Sequence, residues 1–155
     1  MANITLSERE VRIQKVEKMK KMGIHPFAQS FQKQDMIKDI IAKYENEELR
    51  DSEILVSDAQ IQVATAGRVM LHRSHGKLAF AKILDSTGQI QLMFHRDNCK
   101  IIKVEKNQDW TMNEVTVQSL PFDESESWEM TAYKFFEKMI DMGDFIGVRG
   151  EVFKT

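Results

Sequence analysis

From Ala66 to His95 the chain reads AGRVMLHRSHGKLAFAKILDSTGQIQLMFH, three alternating runs joined by two glycine-bearing turns. Neighbouring side chains on a strand point to opposite faces, and residues two apart share one. On the middle run Ala79, Ala81 and Ile83 form one face, and Leu78, Phe80 and Lys82 the other. The first set is small and wholly apolar, which suits the tapered interior of a small barrel. Phe80 is therefore predicted to point outward. On the third run Ile90, Leu92 and Phe94 make the apolar set and leave Gln91, Met93 and His95 opposite, so Gln91 is a candidate partner for whatever lies over Phe80. An exposed aromatic beside an amide and several cations suits single-stranded nucleic acid: bases stack on the ring, cations track phosphates, and the amide reads a base edge.

Charge supports that reading. The net charge is -2, yet residues 59–100 hold six Lys/Arg (Arg68, Arg73, Lys77, Lys82, Arg96, Lys100) against Asp85 and Asp97. Residues 101–155 hold six bases and eleven acids, so positive charge is concentrated where a phosphate backbone would need it. With 42% hydrophobic and 30% charged residues the composition is that of an ordinary globular domain. No run approaches the roughly 18 apolar residues of a membrane span, and the start MANITLSEREVRIQK lacks a secretory core. The expected location is cytoplasmic, with no membrane partner. The single Cys99 excludes an internal disulfide and a cysteine-rich zinc site. His72, His75 and His95 lack the carboxylates or thiols that would complete a metal site, so none is expected.

Along the chain, Ser7 and Glu10 form a capping box, with Leu6 and Val11 placed as a hydrophobic staple. A helix follows from about Glu8 to Met22, ended by Gly23 in a left-handed cap. A second helix starts near Asp35, with Met36, Ile37, Ile40, Ile41 and Tyr44 as its apolar stripe. Strands are expected at about Gln60 to His72, Lys77 to Asp85 and Gly88 to His95, with a bulge or bend at Gly67. Within residues 101–127, Lys103 to Lys106 and Trp110 to Gln118 read as the strands of a projecting hairpin across Asn107, Gln108 and Asp109, and the acidic run DESES leads from it to the next helix. The spacing of Met130, Tyr133, Phe136, Met139 and Ile140 predicts a helix from Trp128 to Met142, and Asp144 to Phe153 another strand. Strand-strand-strand-helix-strand is the start of an OB-fold, short of its last strand. The expected class is α+β, with a helical appendage over residues 1–58 and an OB-fold barrel over 59–155 that carries an insertion at about 101–127.

These residues resemble the N-terminal anticodon-binding domain of class II lysyl-tRNA synthetases. The matching pieces are a basic helix running into Gly23, Ile24, Pro26, Phe27 and Phe31; then Ala66, Gly67, Arg68; Arg73, Gly76, Lys77, Phe80; Asp85, Gly88, Ile90, Gln91, Leu92; and Gly143, Asp144, Gly147, Gly150, Phe153, Lys154, Thr155. The resemblance implies binding of the U-rich anticodon stem-loop of tRNA(Lys). Phe80 would stack on the middle uridine, and Gln91 and Arg73 would hydrogen-bond its edge or the neighbouring backbone. Arg68, Lys77, Lys82, Arg12 and Lys15 are candidates for backbone contacts. The family continues with a last strand and a catalytic domain, and its full-length members use ATP and Mg2+ and are homodimers. This chain, without those motifs, is expected to hold no cofactor and to be inactive alone.

Two other readings fit the residues. One is a stand-alone OB-fold module for single-stranded nucleic acid without anticodon preference. The other is a protein-interaction domain working through the acidic insertion and the N-terminal helices.

Overall fold

Alternation and glycine punctuation produce the elements expected of them, with shifts where pairing overrides local signals. The computed structural model describes residues 5–27, 31–46, 62–106, 112–121 and 129–154. In chain order the elements are α1 (Glu8–Lys21), α2 (Ile37–Tyr44), β1 (Gln62–His75), β2 (Leu78–Leu84), β3 (Gln89–His95), β4 (Ile101–Lys106), β5 (Met112–Val117), β6 (Ser119–Pro121), β7 (Glu129–Thr131), α3 (Ala132–Met139) and β8 (Phe145–Glu151). The chain divides into two compact units, one from residues 1–28 and 94–140, the other from 29–93 and 141–155.

The second unit is built on a curled four-stranded sheet ordered β3-β2-β1-β8. The first half of β1, Gln62 to Arg68, pairs antiparallel with β8, and the second half, Arg68 to His75, pairs antiparallel with β2. Changing partners midway along one strand is how a sheet curls toward a barrel. The register shift lies at Met70, between Val69 and Leu71, and not at the expected Gly67. Gly67 instead permits a close approach, since a Cβ there would sit 2.7 Å from the Leu84 carbonyl oxygen. The strand also runs past His72, because Ser74 and His75 pair with Ala79 and Leu78. The turn is therefore only Gly76 and Lys77, with Gly76 at φ 62.

Where β2 leaves β1, the segment before α2 takes over its edge. The Gln34 and Asp35 N–H groups donate to the Ala64 carbonyl (3.0 and 2.9 Å), and the Asp35 carboxylate accepts from the Ala64 N–H at 3.0 Å. Helix α2 starts at Ile37, two residues later than Asp35, and buries Ile37, Ile40 and Tyr44 while Ile41 stays exposed. On the sheet, Val69, Ala79, Ala81 and Ile83 are completely buried.

In the first unit, the Ser7 hydroxyl accepts from the Glu10 N–H (3.2 Å) and the Glu10 carboxylate accepts from the Ser7 N–H (2.7 Å). That hydrogen bond holds the Glu10 carboxyl below its usual range. Leu6 and Val11 both remain exposed. The C-terminal end of α1 does the packing, with Met19 and Met22 in a core shared with Leu120, Phe135 and Met139. Gly23 follows at φ 80. The expected hairpin is present as β4 against β5, from Ile101↔Val117 to Lys106↔Met112. The expected helix from Trp128 is shorter: Glu129 to Thr131 form a strand against Ser119 to Pro121, and the helix occupies only Ala132–Met139. Thr131 caps it, its hydroxyl accepting from the Lys134 N–H at 3.3 Å. Met130 sits at the boundary, where pairing with Leu120 decides for strand, whereas Tyr133 falls inside the helix. Trp110, Trp128 and the DESES run lie outside the described residues.

Candidate nucleic-acid interface

The alternation in β2 is realised in full. Ala79, Ala81 and Ile83 are buried, whereas Leu78, Phe80 and Lys82 are only partly so and Leu84 is 40% exposed. Phe80 thus lies on the outward face. Cross-strand partners share a face, and the partner of Phe80 is Arg73. The Arg73 guanidinium carbon lies 5.9 Å from the Phe80 ring centroid, within cation-π range. On β3 Ile90 and Leu92 are half-buried and Gln91 is exposed.

The same face carries more of the expected cations. Lys82, two residues from Phe80, pairs with Leu71, and Arg68 pairs with Leu84 on one side and Phe145 on the other. Lys77 is exposed in the tight turn between β1 and β2. The structure therefore gathers Phe80, Arg73, Lys82 and Arg68 on one face, with Lys77 at its hairpin end. Arg12 and Lys15 belong to α1 in the other unit, where Arg12 pairs with Glu8 at 3.1 Å.

Three features of the sheet unit depend on contacts between segments far apart in sequence. Phe145 is 73% exposed with the Arg68 guanidinium 4.8 Å from its ring centroid. Phe31 packs on Gly147, where a Cβ would lie 2.6 Å from the ring, and Arg149 sits 5.7 Å from the centroid of Phe31. The third is the anchor at Asp85. Its carboxylate accepts from the Lys33 ammonium (2.6 Å), the Ile37 N–H (2.9 Å), the Thr87 N–H (2.7 Å) and hydroxyl (2.6 Å), and the Gly88 N–H (3.0 Å). Burial by itself would raise this carboxyl, but the donors outweigh it and hold it far below the usual carboxylate range. Asp85 thereby ties the β2-β3 turn to the segment between Phe31 and α2.

Among the described residues no group of three or more His, Cys, Asp or Glu could hold a metal ion, and no helix is long and apolar enough to cross a membrane. What remains is an open aromatic and cationic sheet face, the surface with which OB-folds take single strands.

The chain belongs to the family of OB-fold nucleic acid binding domains, which it matches over residues 63–155. Its similar relatives are lysine-tRNA ligases. It is 33% identical over 144 residues to the lysine-tRNA ligase of Chlamydia caviae, covering 93% of this chain and 24% of that protein. With the enzyme of Carboxydothermus hydrogenoformans it shares 33% over 146 residues, covering 94% and 22%, and with that of Streptococcus suis 34% over 145 residues, covering 94% and 22%. The chain thus spans less than a quarter of the length of these relatives.

Proposed function

We propose that this chain recognises the anticodon loop of tRNA(Lys) as the anticodon-binding part of a lysine-tRNA ligase. Phe80 stacks on the middle base, Arg73 and Gln91 bond its edge or the adjacent backbone, and Lys77, Lys82 and Arg68 meet phosphates. Arg12 and Lys15 add sequence-blind contacts from α1. The observation that carries this reading is the outward Phe80 ring beside the cross-strand Arg73 guanidinium. The named relatives supply the lysine specificity of the proposal. Its domain boundary falls at residue 59, with the family match from residue 63 in support.

The whole protein would join lysine to its tRNA with ATP and Mg2+, as a cytoplasmic homodimer. No chemical step is assigned to the residues of this chain. Their contribution is to hold one face of the RNA.

Equilibrium binding tests this. A lysine anticodon stem-loop should bind more tightly than the same stem with an unrelated loop, at every salt concentration. Loss of one stacked base is worth about 1 to 3 kcal/mol, so Phe80→Ala should weaken binding by about 5- to 150-fold. Because Phe80 faces away from the core, the variant should keep its fold. Equal affinity for both loops would leave only a general single-strand module, and unchanged affinity after Phe80→Ala would remove the stacking role.

A further inference from the structure

We infer that Phe145 and Arg68 form a second stacking platform, which takes another unpaired base of the same RNA strand. This rests on the RNA-binding reading above and extends it to a site beyond Phe80.

Phe145 is the most exposed large hydrophobic residue among those described, at 73%. It is nevertheless firmly placed. The Val69 N–H donates to the Asp144 carbonyl and the Gly143 N–H to the Val69 carbonyl, both at 2.7 Å, and the Asp144 carboxylate accepts from the Asp141 N–H at 2.8 Å. Gly143, at φ 95, permits that turn. The chain therefore enters β8 from a fixed corner and presents an aromatic ring to solvent, with a guanidinium 4.8 Å from its centroid. The arrangement repeats the Arg73 and Phe80 pair, and the two share a face. Leu84, Arg68 and Phe145 form one row across β2, β1 and β8, and Phe80 with Arg73 forms the other. Lys82 lies between the rows on β2.

The occupant follows from this chemistry. Rings flanked by cations, with a further cation between them, match bases alternating with phosphates along a strand. Phe145 lies four residues along and two strands across from Phe80, roughly 16 Å on a flat sheet. A stacked strand rises only about 3.4 Å per nucleotide, so the two rings serve bases that are not adjacent. An apolar protein surface would not require the cation spacing.

The test uses the full chain and a lysine anticodon stem-loop, with single abasic sites scanned through the loop and its flanking nucleotides. Phe145→Ala should weaken binding of the intact RNA by about 5- to 150-fold. That loss should vanish at one abasic position, not adjacent to the position that abolishes the Phe80→Ala effect. Phe145→Trp should bind as well as the parent, and Phe145→Leu, which keeps apolar bulk without the ring, should bind as weakly as Ala. These variants distinguish stacking from a folding defect.

Binding within twofold of the parent after Phe145→Ala, as docking of a protein there would give, overturns the proposal. So does a loss that is equal at every abasic position, one that vanishes at the Phe80 position, or a Leu variant that matches the parent. A neutral Phe80→Ala with a weakened Phe145→Ala instead refutes the role given to Phe80. The reverse pattern refutes only the second platform.

Discussion

Asp85→Asn should be among the most destabilising near-isosteric changes in the sheet unit. The two carboxylate oxygens divide their donors: one accepts from the Lys33 ammonium and the Ile37 N–H, the other from the Thr87 N–H and hydroxyl and the Gly88 N–H. An asparagine has one acceptor oxygen. Turned toward Thr87 and Gly88, it presents an NH2 group to an ammonium and a backbone N–H. Each orphaned buried donor costs about 1 to 3 kcal/mol. The Lys33 side chain, 23% exposed against 5% for Asp85, can recover part of its hydration. The net loss should be about 2 to 4 kcal/mol, or a fall in Tm of about 5 to 15 °C for a chain of this size. Thermal unfolding followed by circular dichroism reads this directly. The pH dependence adds a sign. The folded carboxyl titrates well below the ordinary value of about 3.9. Its contribution is thus complete above about pH 5 and is lost as the pH falls through the unfolded value toward the folded one. The gap between parent and variant should therefore narrow on acidification. A loss below about 1 kcal/mol at pH 7, or a gap that stays constant down to pH 3, would refute the anchoring role.

Gly147→Ala should cost about 1 to 3 kcal/mol, because its methyl group would meet the Phe31 ring at 2.6 Å. Combined with Phe31→Ala it should add almost nothing, and an additive double variant would show that the two residues do not touch. Burial pushes the Cys99 thiol up to about 11. Alkylation by iodoacetamide at pH 8 should accordingly be slow in the folded chain, rise toward pH 11, and become fast on unfolding. Rapid labelling of the folded chain at pH 8 would contradict this.

The facing of β2 was legible because its two parities differ in kind: Ala79, Ala81 and Ile83 offer nothing polar, and Lys82 has to reach water. The capping box and the left-handed Gly23 were legible because each is a local device. Long-range partners left no such mark. Lys33 and Asp85 are 52 residues apart, and neither position is unusual within its own segment. Ser74 and His75 resemble turn residues until pairing with Ala79 and Leu78 extends the strand. Phe145 alternates correctly with Gly147 and Arg149, but which parity faces outward depends on pairing with Arg68.

The bulge at Met70 explains why two arginine-aromatic rows occupy one face. Arg68 and Arg73 are five residues apart, so unbroken alternation would send them to opposite sides of the sheet. Before the shift, Arg68 pairs with outward Leu84 and Val69 with buried Ile83; after it, Leu71 pairs with Lys82 and Arg73 with Phe80. The extra residue moves the outward parity from even to odd numbers, and Met70 itself is left 47% exposed. Bulges also bend and twist the strand that carries them. Here that bend falls just beyond Arg68, where β1 gives up β8 and is paired by β2. One inserted residue thus helps curl the sheet and also sets both cations beside outward rings. No residue-type preference marks a methionine for that position, because the requirement lies in the register between strands.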